Sequence, residues 1–293
     1  MKENYLFLGN PGTGKSTLIN CLIGRQAFES GLSYGTGMTQ FFQEFSHQGA
    51  VYMDTPGLAD RKIKEQAAAA ITQALRQSGT YKLFFMVRLE NGRVVSDDLA
   101  TIETVLDSID MEDVPFSIVV NNVKKRQYEA MMKKSAEFFK VVTLINSSKY
   151  TTPCITFIPT LGSLDEMDNQ CTELPRDVLD FFRISAPSCV IPPGRVNEIR
   201  LEDFKGLVDD LREELEKLRN DNAALRRRVE ELVSKPRFFE VLLDVSGAAI
   251  ASLVEFIGNN AVSLAMLLSG DVTGALGFGV NLLFGSVGAL SGC

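Results

Sequence analysis

The stretch Gly9-Asn10-Pro11-Gly12-Thr13-Gly14-Lys15-Ser16 constrains this chain more than any other. It matches the pattern GxxxxGK[ST] in full. The apolar run Tyr5–Leu8 precedes it, and a helix-forming run from Ser16 to Cys21 follows. Strand, glycine-rich loop and helix in that order aim backbone N–H groups at one point. The glycines put no Cβ in the way, and the helix N-terminus adds a partial positive charge. Such a loop is built for a phosphate chain. Asn10, Pro11, Gly12, Thr13, Gly14, Lys15, Ser16 and Thr17 are therefore the expected nucleotide-binding residues. Lys15 is expected to reach the β- and γ-phosphates, and the Ser16 hydroxyl to bind Mg2+, a hard cation that prefers oxygen.

Around this loop the chain alternates β-rich runs with helical patterns, the mark of a parallel or mixed sheet covered by helices. Strands are predicted at Tyr5–Leu8, Thr39–Phe45, Ala50–Met53, Lys82–Leu89, Phe116–Val120 and Cys154–Pro159. Helices are predicted at Lys15–Ile23, Ile63–Gln77, Asp97–Ser108, Lys125–Asn146 and Pro175–Ile184. The expected fold class is thus α/β, a mostly parallel six-stranded sheet flanked by helices over residues 1–187. A Pro- and Gly-containing linker is expected at 188–197, a coiled coil at 198–235, and a Gly-rich apolar tail at 236–293.

An apolar content of 45% supports a sizeable core, and a net charge of −7 argues against broad binding to nucleic acid. The five cysteines lack metal-ligand or CxxC spacing and are expected to be reduced thiols. His47 is the single histidine, which excludes a His-based dyad or zinc site; it is expected at the surface. The N-terminus lacks the pattern of a signal peptide, so a cytoplasmic protein is expected.

A second motif, Asp54-Thr55-Pro56-Gly57, follows the strand Ala50–Met53 directly. A carboxylate there can support Mg2+, and the Gly57 N–H can report a γ-phosphate. Between the two motifs lies the glycine-rich run Gly31-Leu32-Ser33-Tyr34-Gly35-Thr36-Gly37-Met38-Thr39. The two motifs resemble the first and third boxes of the translation-factor-related GTPases. That resemblance makes the glycine-rich run a switch segment and gives Thr39 the role of meeting Mg2+ and the γ-phosphate, with Thr36 as runner-up. The expected metal set is Ser16, Thr39 and Asp54; the expected catalytic set is Lys15, Thr39 and Gly57.

Two positions depart from the GTPase pattern. Leu58 stands where small Ras-like GTPases place a glutamine that orients water. Leucine cannot do this, so unassisted hydrolysis is expected to be slow, or the missing group to come from elsewhere, such as a second protomer; Arg61 is one candidate, with an ordinary surface arginine the default. The guanine-reading motif [NT]KxD appears as Asn121-Asn122-Val123-Lys124: Asn121 fits the first place, but lysine replaces the aspartate. Thr160–Ser163 is the expected last base-contacting loop. GTP/GDP with Mg2+ is the expected ligand set, with ATP the alternative.

Residues 3–185 also resemble the AIG-type, septin-related (paraseptin-related) and chloroplast-import-receptor-related GTPases. The resemblance rests on Gly9–Ser16, Thr39, Asp54–Leu58 and the texture of Phe84–Thr104. It implies a G domain that dimerises side by side across the nucleotide, in proteins often associated with membranes.

Leu201, Phe204, Val208, Leu211, Leu215, Leu218, Asn222, Leu225, Val229 and Leu232 are spaced by alternating threes and fours, an a/d heptad seam with Asn222 at an a position. A parallel coiled-coil homodimer is expected, with Glu214–Arg219 and Asp221–Arg226 pairs between chains. The alternative is one amphipathic helix packed on the G domain. No basic region precedes Leu201, so DNA binding is not expected. Beyond it, Val272–Gly292 is 21 residues without a charge, long enough to span a bilayer, and Phe256–Gly270 is a second such run of 15. The tail is expected to meet a membrane from the cytosolic face; the alternative is a soluble helical hairpin. A GTP-binding switch with slow hydrolysis is the leading functional expectation, against a non-catalytic scaffold or an ATPase.

Overall fold

The computed structural model describes residues 2–31, 39, 41–60, 63–164, 168–235 and 238–243. In chain order the elements are β1 (Glu3–Leu8), α1 (Lys15–Ile23), β2 (Gln43–His47), β3 (Ala50–Asp54), α2 (Lys64–Leu75), β4 (Thr80–Val87), β5 (Leu89–Glu90), β6 (Arg93–Val94) and α3 (Ser96–Asp107). There follow β7 (Ser117–Val123), α4 (Lys125–Met132), α5 (Ala136–Ile145), β8 (Ile155–Pro159), α6 (Arg176–Asp180), β9 (Cys189–Val190), α7 (Phe204–Asn220), α8 (Asn222–Val233) and α9 (Phe238–Leu243).

The main sheet runs β2-β3-β1-β4-β7-β8, parallel except for β2, which pairs antiparallel with β3 at one edge. The central strands β1 and β4 are apolar on both faces because helices cover both. Alternate residues feed opposite cores, as the period of a strand requires. Leu6, Leu8, Val51 and Met53 join α2, α3 and α5 on one side; Tyr5, Phe7 and Tyr52 join α1 and Val178 of α6 on the other. β2 reads Gln-Glu-Phe-Ser-His and is mostly exposed, as an edge strand tolerates. It begins at Gln43, so Thr39 precedes the strand rather than starting it.

The stretch predicted as one helix over Lys125–Asn146 is two helices. Lys134 adopts a left-handed conformation (φ 48), Ser135 N–H donates to Ala130 O (3.3 Å) and Lys134 N–H to Met131 O (3.0 Å). This bond pair closes a helix C-terminus and turns the chain, so that α5 buries its apolar face while α4 stays outside. The predicted linker is likewise not free. Cys189 and Val190 pair with Tyr81 and Thr80 at the start of β4, Asp110 N–H donates to Arg195 O (2.7 Å), and the Arg76 guanidinium holds Val196 O (2.8 Å).

The heptad seam is also placed otherwise than in a coiled coil. α7 lies against α3 and α8 against α5. Phe204, Val208, Leu211, Leu215, Leu218, Leu225, Val229 and Leu232 are all buried in the core that also holds α2, α3 and α5. The helix breaks at Asp221 (φ −111, ψ 103), whose carboxylate caps α8 at Ala223 N–H (2.8 Å), while Asn222 is exposed. Three of the four charges expected to pair across a dimer have partners within the chain: Glu214 meets Lys217 (3.1 Å), Arg219 donates to Val94 O (2.7 Å), and Asp221 caps α8. Arg228 holds Asn146 O (2.6 Å) at the end of α5, and Lys235 donates to Thr151 (2.6 Å). A 3-4 apolar repeat fits any helix that covers a core; here the core belongs to the same chain. The tail from 244 onward, with its predicted membrane runs, lies outside the described residues. Among those described, no helix is long and apolar enough to cross a membrane. Cys21, Cys154, Cys171 and Cys189 are free thiols.

Candidate functional site

The loop between β1 and α1 lies at the carboxyl end of the parallel strands, where open α/β sheets bind ligands. Gly14 opens α1 with φ 84, and a Cβ there would sit 2.5 Å from Asn121 Nδ2. That contact requires glycine, and it brings the end of β7 onto the loop: Asn121 donates to Thr13 O (3.0 Å). A register irregularity between Val120 and Val123, with Asn122 at φ 56, places Asn121 there.

Lys15 is buried and donates to Gly9 O (2.8 Å) and Asn10 O (3.3 Å), spanning the loop it belongs to. Burial pushes its pKa down, with Asp54 and Asp98 acting against that and Arg88 adding to it. The three expected Mg2+ residues converge. Ser16 donates to Asp54 Oδ2 (2.5 Å), Thr39 donates to the same oxygen (3.0 Å), and the two hydroxyls lie 3.3 Å apart. Asp54 is fully buried, and its Oδ1 has no hydrogen-bond partner. Burial raises the Asp54 pKa, opposed by the Lys15 charge and the two hydroxyls. Two hydroxyls, one carboxylate and an unsatisfied buried oxygen form an all-oxygen donor set of the kind Mg2+ takes. Among the described residues no cluster of three or more His, Cys, Asp or Glu side chains offers a metal site of another kind.

The Asp54–Gly57 segment is packed on the loop. A Cβ on Gly57 would lie 2.7 Å from Asn10 Cα and Pro11 N, and closer still to Pro11 Cδ. Leu58 is fully buried in the core, so the glutamine position is occupied by a packing residue that faces no solvent. Upstream, the segment after α1 is held to the loop after β8: Ser30 N–H donates to Asn169 Oδ1 (2.8 Å) and Asn169 N–H to Ser30 O (2.9 Å).

Other expected residues sit differently. The Asn10 side chain is fully buried and runs inward, so only the backbone of Asn10 is left for a phosphate. Thr13 is buried, its hydroxyl donating to Asn10 O (2.9 Å). Pro11 and Thr17 are half-buried and Gly12 exposed. Lys124 is exposed at the start of α4, and Thr160 is exposed with its N–H on Val123 O (2.9 Å). Thr36 and Arg61 lie outside the described residues, as does most of the glycine-rich switch run.

Sequence reasoning missed the side chains behind the loop. Asp98 is buried and accepts from Arg88 N–H (2.9 Å), Nε (3.3 Å) and Nη2 (3.2 Å) and from Asn10 Nδ2 (2.9 Å). Arg88 follows β4 directly, and its Nη1 reaches Pro11 O (3.5 Å). Burial raises the Asp98 pKa, with the Arg88 guanidinium and the Asn10 amide acting against it. In sequence Asp98 reads as an ordinary acid in a helix's first turn; only its burial reveals more.

Residues 4–122 match the family model described as 50S ribosome-binding GTPase. The match runs from β1 to β7 and takes in the phosphate loop, Thr39, Asp54–Gly57 and Asn121. Over those residues the chain is similar to the G domain of P-loop GTPases. Solved structures with which the chain shares similarity include Toc33 from Arabidopsis thaliana in complex with GDP and Mg2+, at 18% identity over 65% of this chain and 88% of that one, TM-score 0.41. Others are Aquifex aeolicus Era, a variant bound to GDP·AlF4−, at 19% over 68% and 63%, TM-score 0.38, and S. thermophilus NFeoB bound to GDP·AlF4− and K+, at 15% over 92% and 93%, TM-score 0.40.

Proposed function

We propose that this chain is a GTP-binding molecular switch that hydrolyses GTP slowly with Mg2+. The observation that carries the reading is the meeting of Ser16, Thr39 and Asp54 around one carboxylate whose second oxygen is buried without a partner. Bound there, Mg2+ would neutralise phosphate charge and orient the triphosphate. The protein's own groups do the rest: the loop N–H groups and α1's N-terminus hold the phosphates, Lys15 offsets their charge, and the Gly57 N–H senses the terminal one. With Leu58 in the core, no side chain at that position orients water, which makes slow turnover the expected outcome. The AIG-type, septin-related subgroup, a side-by-side G-domain homodimer and attachment of the tail to a membrane belong to this reading as extensions of the resemblance. The zipper is not the proposed contact, because its seam is already covered.

One observation favours a second reading of base choice. Guanine presents donors where GTPases place aspartate, and Lys124 also donates. An ATP-binding protein with the same phosphate chemistry is the alternative.

Fluorescent GTP and ATP analogues titrated against the full chain, with Mg2+ and with EDTA, test both. The full chain is required because α7 and α8 cover the G-domain core. The expected result is Mg2+-dependent binding with GTP preferred by at least about tenfold, about 1.4 kcal/mol, and loss of binding in Lys15→Ala. Normal binding by Lys15→Ala would reject the site; equal or ATP-biased binding would move the ligand to ATP.

A further inference from the structure

Asn10 is the second residue of the phosphate loop, yet its amide points to three residues in two other segments, α3 and the stretch after Gly57. Nδ2 donates to Asp98 Oδ1 (2.9 Å), while Oδ1 accepts from Ala59 N–H (3.0 Å) and from the Thr101 hydroxyl (3.0 Å). The orientation of this amide is forced. Ala59 N–H can only donate and the ionised Asp98 carboxylate can only accept, so Nδ2 must face Asp98 and Oδ1 must face Ala59. The Thr101 hydroxyl has one proton and two acceptors at 3.0 Å, Asn10 Oδ1 and Asp97 O, so it shares its donation between them. Arg88 fixes Asp98 in turn through three hydrogen bonds. One chain of contacts therefore runs from Arg88 through Asp98 and Asn10 to the backbone that follows Gly57. Gly57 packs so closely on Asn10 and Pro11 that an added Cβ would lie 2.7 Å from Asn10 Cα and Pro11 N. The phosphate loop, the segment expected to sense the terminal phosphate, and α3 are thus locked to one another by a single buried side chain.

We propose that Asn10 is a positioning residue for triphosphate discrimination: oriented by Asp98, it holds the Gly57–Ala59 backbone against the phosphate loop, so that the terminal phosphate meets a preset N–H and α3 responds to its presence. This rests on the nucleotide-binding reading above and adds to it the device by which triphosphate and diphosphate are told apart. A merely structural network would support the fold equally in both ligand states. A positioning network contributes only when the terminal phosphate is there.

The test is the ratio of affinities of the full chain for a non-hydrolysable GTP analogue and for GDP, both with Mg2+. In Asp98→Asn the carboxamide can present a donor to Asn10 and release the amide from its fixed orientation. The expected result is a ratio reduced at least about fivefold, within the usual range of coupling between sites, with GDP affinity changed less than about threefold. Thr101→Val keeps the side-chain volume and removes one donor, so it is expected to fold if Asp98→Asn does not and to lower the ratio by a smaller factor in the same direction. An unchanged ratio in the folded variants, or equal losses for both nucleotides, would overturn the proposal while leaving the nucleotide site standing. A wild-type chain that binds neither nucleotide would overturn both.

Discussion

Replacing Leu215 by alanine separates a docked helix from a zipper. Leu215 is 1% exposed at the middle of α7, in one core with Leu99, Ile102 and Leu106 of α3. Truncating a leucine so placed removes its transfer free energy and leaves a cavity, a cost of about 2–5 kcal/mol. In a chain of this size each kcal/mol lowers Tm by roughly 2–4 °C, so a fall of about 4–20 °C is expected. The assay is thermal unfolding of the full chain by circular dichroism at two protein concentrations about a hundredfold apart. Intramolecular docking makes both the wild-type Tm and the fall independent of concentration, whereas a seam shared between chains ties Tm to concentration by mass action. Asn222→Leu is the companion variant. An exposed residue at the start of α8 tolerates the change to within about 0.5 kcal/mol, but in a zipper the same change would remove a buried polar residue and strengthen the dimer. A Leu215→Ala protein with unchanged Tm, or with a loss seen only at high concentration, would refute the docked arrangement.

Gly57→Ala should wedge the sensing segment off the loop, because the added methyl meets the Asn10 and Pro11 backbone rather than a movable side-chain end; overpacking of about 1–3 kcal/mol predicts a roughly five- to hundredfold loss of GTP-analogue affinity in equilibrium titration. Lys124→Asp should raise the preference for GTP over ATP by at least about tenfold, and melting should show no loss of stability, since an acid at a helix start suits the dipole better than lysine. Glu103 in α3 is buried, accepts from Lys149 N–H (2.7 Å), and burial raises its pKa. The folded state then holds the Glu103 proton more tightly than the unfolded one, so its contribution is full below the unfolded pKa and is lost as pH rises through the folded value. Glu103→Gln should therefore raise Tm at pH 7 and converge with the wild type near pH 4; a Tm gain that persists at pH 4 would reject the assignment.

Most of the parallel sheet was legible because its strands are short apolar runs bounded by turns, and α1 was legible to its ends because Gly14 and Gly24 bracket it in left-handed conformations. The fold departed from expectation where a local pattern serves two architectures. A heptad seam states that one face of a helix is apolar, not whose surface covers it. What decided here lay outside the pattern, in the apolar faces of α3 and α5 and in the carbonyls at Val94, Asn146 and Ser148 that take up Arg219 and Arg228. The same limit explains the linker. Prolines announce that no helix passes through 186–194, but the pairing of Cys189 and Val190 with β4 exists only because β7 joins β4 at Phe84 and leaves its first residues open.

The candidate site divides along a similar line. Ser16 and Asp54 were found from motif spacing because one lies in the first turn of α1 and the other ends β3, where the backbone fixes their place, whereas Thr39 came from the family resemblance. Arg88, Asp98, Thr101 and the inward turn of Asn10 carry no such mark. A polar residue in a glycine-rich loop reads as a ligand contact, and an acid in a first helical turn reads as dipole compensation. Their function follows from burial. Inside the core a hydrogen-bonding group must find a partner, and the partner available to Asn10 on its acceptor side is the backbone that follows Gly57. The rigidity of that contact also bears on turnover. On the proposed function, holding Ala59 in place would preset Gly57 for a terminal phosphate, and it would equally keep Leu58, which is buried in the core, away from any attacking water. For the proposed switch, a segment arranged this way is expected to favour recognition of the triphosphate over its cleavage, so that the features that sharpen it also slow its reset.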